Sequence, residues 1–292
     1  MKADSIQRLS ARFPECSEWL GFIGELQTTM AEFPYHEFVE HVAPIEFLDG
    51  KPSLALLTPD LLATWITHMS HGTRVRMEHL ETAILTGLAE GQLLIPSILT
   101  RCHLEVAGFA AQSYLALNKF ADTGDQVPLK KYILQSAYSS AMVSKKPELI
   151  ASEAIPGVYS EPNNVMNAVD SLQKFYDAIL GTSPFKLRNL YAQLCDFSHP
   201  GILGFKGFVQ AHGPHPDGRR LQYRRQENVE SPDAENLLVA LMLSMRGGHA
   251  CAALMHCGEI IVEKDGFKFT KPDRASVAYV WKKILQHPQP FT

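Results

Sequence analysis

The sequence predicts a mainly α-helical protein, an antiparallel helical bundle that carries two small β-hairpins. The first observation is a set of long stretches in which apolar residues recur every three or four positions, the spacing of one face of an α-helix. The second is a pattern typical of helix starts, a hydroxyl residue followed by proline, at Thr58-Pro59, Ser183-Pro184 and Ser231-Pro232. Little of the chain is left for β-structure.

Eight helices are expected, at residues 17–32, 60–89, 94–120, 128–143, 163–180, 184–198, 232–261 and 274–286. The pair Gly247-Gly248 allows a break in the seventh of them. One hairpin is predicted at residues 45–57, where apolar runs flank the turn dipeptide Asp49-Gly50. The other is predicted at residues 203–226, around a tip rich in glycine and proline. Strand is expected in these two segments alone.

Composition places the chain among globular proteins. Its 292 residues are 46% apolar and 20% charged. Because no repeat or long linker interrupts it, we expect one domain, in which residues 1–57 form an N-terminal helix and hairpin packed on a bundle formed by residues 58–292. The net charge of -4 excludes a generic DNA-coating protein, whose surface would be strongly basic, but leaves room for a local basic site.

Three features predict a cytoplasmic protein without membrane contact. Residues 1–12 lack the apolar core of a secretory signal. The five cysteines are odd in number and scattered, as expected for reduced thiols. The most apolar stretch, residues 237–262, contains Arg246 and Glu259, and its uninterrupted part is shorter than the about 20 residues that span a bilayer. We predict a buried helix there.

The first candidate site is the pair Arg101 and Glu105. Both lie on the helix predicted at residues 94–120, which is otherwise apolar on nearly every side and is expected at the centre of the bundle. A spacing of four residues puts them on one face. Since a buried charge must be paired, the pair is either an anion- or phosphate-binding pocket in which Glu105 holds the guanidinium, or a structural ion pair between helices.

The second candidate site is the end of the helix predicted at residues 184–198, with Tyr191, Asp196 and His199. Pro200 disfavours the α conformation of the residue before it, so the helix should end next to His199. The helix dipole favours a protonated imidazole at this end. His199 is then either a general acid/base or ligand contact, or a C-terminal cap.

The third candidate site is the second hairpin, whose basic residues are interleaved with aromatic ones. Arginine beside aromatic side chains is suited to phosphates and stacked bases. The alternative is a solvated hairpin whose charges oppose edge-to-edge aggregation. The candidate binding residues are Arg219, Arg220, Arg224 and Arg225.

No metal or cofactor site is predicted. Two groups of histidines and cysteines lack the paired spacing of metal ligands. They are His68, His71 and His79 on one helix, and His249, Cys251, His256 and Cys257 on another. The first group is expected to face away from the apolar stripe of its helix, and the second to be core.

Two short motifs connect the first two candidate sites. One is R-x-x-x-E, from Arg101 to Glu105 on an early bundle helix, and the other is Y-x-x-L-x-x-x-x-H-P, from Tyr191 to Pro200 at the end of a later one. Together they resemble bacterial helical-bundle proteins similar to the HEPN superfamily, over roughly residues 59–257. The resemblance implies an all-helical core, homodimerisation, and roles around RNA or nucleotides in toxin–antitoxin or phage-defence systems.

The ribonuclease signature of that superfamily has one match. The signature that the resemblance implies is an arginine with a histidine four to six residues further on, and Arg74 and His79 fit it. Five positions of a continuous helix are about 140° apart, so these two side chains are not expected to converge. Either the catalytic site is built from Arg101, Glu105 and His199, or the protein binds without cutting.

Three functions remain open on the sequence. The leading one is a HEPN-like protein that interacts with RNA or a nucleotide, as a toxin or phage-defence component, and forms a homodimer. The alternative is a non-catalytic interaction or scaffold protein in which the Arg101–Glu105 pair is structural. The third is an enzyme acting on a small molecule with His199 as acid/base.

Overall fold

The computed structural model describes residues 2–32, 59–137, 164–181, 183, 185–199, 205, 208–223, 227, 229–263 and 266–285. This part of the chain is 78% helical, with nine α-helices and two antiparallel sheets of two strands each. The predicted class, mainly α with small β-hairpins, is confirmed. The hairpin predicted at residues 45–57 lies outside the described residues.

The elements follow one another with short connections. The helices are α1 (Lys2–Arg12), α2 (Ser17–Ala31), α3 (Pro59–Ala89), α4 (Leu94–Thr123), α5 (Gln126–Ala137), α6 (Val165–Leu180), α7 (Leu187–Ser198), α8 (Ser231–Cys257) and α9 (Arg274–Val280). A 3₁₀ turn at Pro14–Cys16 precedes α2, and a π-helical turn at Trp281–Leu285 extends α9. The strands are β1 (Val209–His215), β2 (Gly218–Tyr223), β3 (Glu259–Glu263) and β4 (Gly266–Thr270).

Helix α4 lies at the centre of the bundle, as its apolar sequence predicts. It packs against α3, α6, α7 and α8. Gly108 permits the approach of α6, because a Cβ at this position would lie 2.7 Å from the backbone of Ala168. The side chain of Glu227 comes from a distant part of the chain and binds the backbone N–H groups of Leu93 and Leu94, at the start of α4. The central helix therefore begins where a non-local cap satisfies its free donors.

Helix α8 is continuous through Gly247-Gly248. The break that these glycines could have introduced does not occur. A Cβ at Gly247 would lie 2.5 Å from the Leu172 side chain, and one at Gly248 would lie 2.8 Å from the Cβ of Ala107. The glycines therefore let α6 and α4 pack closely against α8 instead of ending it. Packing outweighs the weak helix propensity of glycine here.

Helix α8 is long and apolar enough to cross a membrane by length and composition. Its most apolar window has a mean hydropathy of 1.5, and that window is entirely buried inside the bundle. Burial on all sides is what the core helix of a soluble protein requires. The prediction of a buried helix is confirmed for this stretch, and a cytoplasmic location stays a prediction.

The described N-terminal residues pack on the bundle. Helix α1 packs on α3, and α2 packs on α8. The Arg74 guanidinium of α3 donates a hydrogen bond of 3.0 Å to the backbone oxygen of Met30, near the end of α2. Arg74 is buried and His79 is exposed on the same continuous helix, so the two side chains of the ribonuclease-like spacing do not converge.

The prediction that strand is confined to two segments is wrong at the end of α8. The helix expected to run to residue 261 ends at Cys257, and β3 and β4 form an antiparallel hairpin directly after it. The sequence signal is a run of β-branched residues, Ile260 to Val262, before the turn dipeptide Asp265-Gly266. The apolar residues of this segment also fit the spacing of a helix, so the strand was not predicted.

Two of the predicted helix starts differ in detail. Helix α7 begins at Leu187, not at residue 184, because its first free N–H is bound by Gln173 of α6 at 2.9 Å. The hydroxyl of Ser183 instead contacts Asp177 at 2.5 Å. Ser231 is the first residue of α8 and does not cap it. Sequence located both helices, but side chains from elsewhere fixed their first residues.

Candidate functional site

Arg101, Glu105 and Tyr191 form a surface cluster, the Arg101–Glu105–Tyr191 cluster, between α4 and α7. The Nε of Arg101 donates to Oε1 of Glu105 at 3.1 Å, one helical turn away. The hydroxyl of Tyr191 donates to the same oxygen at 2.8 Å. The guanidinium carbon lies 5.8 Å from the centre of the Tyr191 ring. One carboxylate oxygen thus joins a cation of its own helix to an aromatic residue of the next.

The cluster is only partly buried, which corrects the expectation of a buried ion pair. The side chains of Arg101 and Glu105 are 29% and 21% exposed. A partly exposed pair at this spacing contributes about 0.5 kcal/mol or less to the free energy of unfolding, since water screens the two charges. Its desolvation cost is correspondingly small.

The contacts of the cluster raise the pKa of both Arg101 and Tyr191. Burial raises the pKa of Tyr191, and its hydrogen bond to Glu105 raises it further. The hydrogen bond to Glu105 raises the pKa of Arg101, against a smaller opposing effect of burial. Arg101 therefore stays a cation and Tyr191 stays a neutral donor. The charges of Arg101 and Glu105 compensate each other, which leaves little attraction for an added anion.

His199 lies apart from this cluster. It is the C-cap residue of α7, where its backbone N–H donates to the oxygen of Cys195 at 2.9 Å, and its side chain is exposed. The end of the helix predicted from Pro200 is confirmed. Eight residues of helix separate His199 from Tyr191, about 12 Å along the axis. Asp196 is also exposed on α7.

The main clefts among the described residues are not lined by Arg101, Glu105 or His199. The hydrogen bonds that join Arg101, Glu105 and Tyr191 do not extend to His199 among the described residues. Two open clefts lie elsewhere, one between α3 and the start of α4 and the other between α1, α2 and the C-terminal turn. The structure therefore brings Arg101 and Glu105 together with Tyr191 but not with His199.

The β1–β2 hairpin, here called the ribbon, carries exposed basic and aromatic residues. Leu221 and Tyr223 are 66% and 73% exposed, and Arg220 between them in sequence is exposed as well. Leu221 pairs with Ala211, and Tyr223 pairs with Val209. Since side chains alternate along a strand, the apolar residues share one face and Arg220 lies on the other.

The remaining candidate arginines lie on or beyond the ribbon. Arg219 is the second residue of β2. Arg224 and Arg225 follow β2 and lie outside the described residues. Glu227, four residues after the end of β2, is fixed to the start of α4. The end of the ribbon is therefore anchored to the central helix.

A second polar cluster, the Glu81 junction, lies in the core and was not predicted from the sequence. Oε1 of Glu81 on α3 lies 2.6 Å from Nε2 of His249 on α8 and 3.3 Å from Nε2 of His103 on α4. Gln27 of α2 donates to the other carboxylate oxygen at 3.2 Å. Nδ1 of His103 lies 2.8 Å from the hydroxyl of Ser244. Glu81, His103 and His249 are at most 1% exposed, so four helices meet at one buried carboxylate.

The junction keeps Glu81 ionised in the core. Burial on its own would raise the pKa of Glu81, but the charge of His249 and hydrogen bonds from both histidines outweigh it and hold the pKa well below its ordinary value. Burial lowers the pKa of His103, and the contact with Glu81 offsets this only in part. A carboxylate with donors on both oxygens satisfies the rule that a buried charge must be paired.

One sequence signal could have found the junction. Glu81 follows Met77 by four residues on the stripe that continues through Ile84 and Leu88, so a carboxylate stands on the buried face of α3. Such a residue demands partners in the core. His103 and His249 are 22 and 168 positions away, and the sequence does not pair them.

The burial of the two groups of histidines and cysteines agrees with the prediction only in part. His249 and Cys251 are core residues, as predicted. His71 is buried, not directed outward, because its ring packs edge-on against His256 of α8 at 5.0 Å between centroids. Within the described ranges, no group of three or more His, Cys, Asp or Glu could hold a metal ion.

Comparison with known proteins returned no match: the chain is similar to no protein-family model, no curated protein and no solved structure. The likeness to HEPN proteins therefore depends on the two short motifs. The histidine of the second motif, His199, lies apart from the cluster that Arg101, Glu105 and Tyr191 form. Membership of that superfamily stays a prediction.

Proposed function

We propose that the protein is a HEPN-like helical-bundle protein that binds RNA or a nucleotide through its ribbon, without cleaving it, as a cytoplasmic component of a toxin or phage-defence system. The observation that carries the proposal is that one strand of an acidic protein exposes Leu221 and Tyr223 on one face and Arg220 on the other. The exposed ring offers a stacking surface for a base, and the cation on the opposite face of the same strand attracts phosphate.

Charge argues for an anionic ligand on the ribbon over a second copy of the ribbon. Pairing of two β2 edges would bring the arginines at positions 219 and 220 of one copy close to those of the other, and like charges across strands are destabilising. An anion removes that repulsion. Phosphate is the anion that arginine binds with two parallel hydrogen bonds.

The position of the predicted catalytic residues supports binding without cleavage. Glu105 is engaged by Arg101 and Tyr191, and His199 is exposed about 12 Å along α7 from Tyr191. A general acid or base must lie within hydrogen-bond reach of the reacting group. We therefore assign the cluster a structural role between α4 and α7.

Binding is tested with a fluorescently labelled RNA oligonucleotide of mixed sequence, read by anisotropy between about 50 and 200 mM salt. The double variant Arg219→Gln/Arg220→Gln removes two positive charges from β2. If both contact phosphates of a single strand, the slope of log K against log salt falls by about 1.4, since each contact contributes about 0.7. RNA should be recovered at its full length after incubation.

The matched control is Lys282→Gln/Lys283→Gln, which removes the same charge from the C-terminal turn. It should leave both the affinity and the salt slope within error of the unsubstituted protein. Equal losses in the two double variants would mean that only net charge matters, which would contradict a site on the ribbon. No RNA or nucleotide binding by the unsubstituted protein at low salt would overturn the proposal.

The scaffold function is the second candidate, and the Tyr191–Glu105 hydrogen bond favours it. That bond ties α7 to α4 at 2.8 Å and needs no ligand to explain it. A protein that binds no nucleic acid but forms a stable dimer would fit this candidate. Sedimentation measures the mass directly, and a homodimer would have twice the 32.5 kDa of one chain.

A further inference from the structure

An open groove lies between the second half of α3 and the start of α4, and the proposed function does not use it. This α3–α4 groove has a volume of about 860 Å³. Along α3 it extends from Val75 to Glu90, which is about 22 Å of helix. Helix α4 contributes Ile95 and Leu99 to the opposite wall. The groove is therefore long and bounded by two helices, and it is not a closed pocket.

Small side chains allow the groove to reach the line of contact between its two helices. Ala83 and Gly87 of α3 both line it. A Cβ at Gly87 would lie 3.1 Å from the side chain of Pro96 on α4, so the helices are in direct contact at this level. The hydroxyl of Thr82 donates to the backbone oxygen of Glu78 at 2.8 Å and so already has a partner on its own helix. The groove thus offers shape and apolar surface more than hydrogen bonds.

The walls of the groove are apolar and accessible to solvent. Val75 and Ile95 are 39% and 52% exposed, and Leu99 is partly buried. Ile98, beside Leu99 on α4, is 36% exposed and extends the apolar surface beyond the groove. Single exposed apolar residues are common on soluble proteins, but several that line one concave surface indicate an interaction site.

Two helical walls favour a helix as the occupant. The backbone groups of α3 and α4 are bonded within each helix, so an extended segment in the groove would find few partners for its own N–H and C=O groups. An α-helix brings its backbone hydrogen bonds with it. Its apolar residues at i, i+3, i+4 and i+7 cover about 10 Å, which fits within the length of the groove.

Charge indicates what must flank the apolar stripe of that helix. Glu78 and Glu90 line the groove, and no lysine or arginine does so among the described residues. Arg74 lies 3.6 Å from Glu78 and compensates part of its charge. Glu90 is exposed and forms no salt bridge within the described ranges, although Arg12 packs against the neighbouring Gly91. The end of the groove at Glu90 is also the C-terminal end of α3, where the helix dipole favours a cation.

We propose that the α3–α4 groove binds an amphipathic α-helix of another protein. The apolar stripe of that helix packs against Val75, Ile95 and Leu99, and a lysine or arginine at one end of the stripe pairs with Glu90. This inference does not depend on nucleic-acid binding by the ribbon. It identifies a protein-interaction surface on the face of the bundle that α3 and α4 form.

The test uses two labelled synthetic peptides of about 15 residues, read by fluorescence anisotropy with the full chain at about 150 mM salt. Both carry leucine at the helical positions i, i+3, i+4 and i+7. One has lysine at its polar positions, and the other has glutamate there. The lysine peptide should bind at least about tenfold more tightly than the glutamate peptide, because only the former complements Glu90. This comparison needs no substitution in the protein.

Two variants locate the binding site of the lysine peptide. Ile95→Ser should lower its affinity about tenfold or more, since it removes apolar surface that the peptide would bury. Glu90→Gln should lower it about three- to fivefold, as expected for one partly exposed ion pair. The matched controls are Val127→Ser on α5 and Glu18→Gln on α2, which change exposed residues of the same kinds outside the groove. Both controls should keep the original affinity.

Three outcomes would overturn the proposal. The first is failure of the lysine peptide to bind the unsubstituted protein. The second is an equal loss of affinity in the groove variants and in their controls, which would mean that the peptide binds without a defined site. The third is a lower mass of Ile95→Ser than of the unsubstituted protein in sedimentation, which would show that a second copy of the chain covers the groove.

Discussion

The hydroxyl of Tyr191 donates a hydrogen bond of 2.8 Å to the carboxylate of Glu105, 86 residues earlier in the chain. This bond connects α7 to the central helix and leaves Arg101 stacked against the Tyr191 ring. The bond explains the R-x-x-x-E motif as part of a contact between two helices. The role of each residue in that contact can be measured by substitution.

Tyr191→Phe should destabilise the protein by about 1 kcal/mol, because it removes a hydrogen bond to a charged group that water can replace only in part. Tyr223→Phe is the matched control, since Tyr223 is 73% exposed on the ribbon. Urea denaturation measures both. If Tyr223→Phe lowered the free energy of unfolding as much as Tyr191→Phe does, the hydrogen bond to Glu105 would not be what stabilises the protein.

The double variant Arg101→Met/Glu105→Leu should stay folded and keep the affinity for RNA measured with the unsubstituted protein. The pair is partly exposed, so its loss is worth about 1 kcal/mol or less. His199→Ala should behave in the same way, because its exposed side chain has water as an alternative partner. Loss of binding or of an enzymatic activity in either variant, with the fold intact, would return these residues to a functional site.

Glu81→Leu should destabilise the protein by about 3–5 kcal/mol, because it leaves two buried imidazole donors without an acceptor. Glu81→Gln should cost less, since the amide oxygen still accepts one of them. Glu90→Gln, exposed directly after the same helix, should cost less than about 1 kcal/mol. Similar midpoints for Glu81→Leu and Glu90→Gln in thermal unfolding would contradict the importance of the junction.

Gly108→Ala should destabilise by about 1–3 kcal/mol, because the new methyl group would meet the backbone of Ala168 at 2.7 Å. Gly72→Ala is the opposite case. It lies on the exposed face of α3 with no atom within 4 Å of an added Cβ, so it should stabilise by about 0.5–1 kcal/mol. Opposite shifts of the melting temperature would confirm that α4 and α6 are in close contact at Gly108.

The contacts within a candidate site are predictable from the sequence when the residues are close along the chain, whereas the exposure of the site is not. Arg101 and Glu105 are one helical turn apart, so their contact is predictable from spacing alone. The exposure of the pair is not predictable, because it depends on how much of α4 is covered by α7. The ribbon could be predicted as a hairpin, but the exposure of Tyr223 depends on how far the hairpin stands from the bundle.

Sequence by itself determined the helices α3, α4 and α6 and the end of α7 before Pro200, because apolar period, capping and proline sterics act within a few residues. Tertiary structure alone decided the first residue of α7, which Gln173 of α6 caps, and the continuity of α8 through its paired glycines. It also decided the junction of Glu81, His103 and His249. These side chains lie on three helices up to 168 positions apart, and their meeting depends on the way the helices pack, a relation that no local pattern encodes.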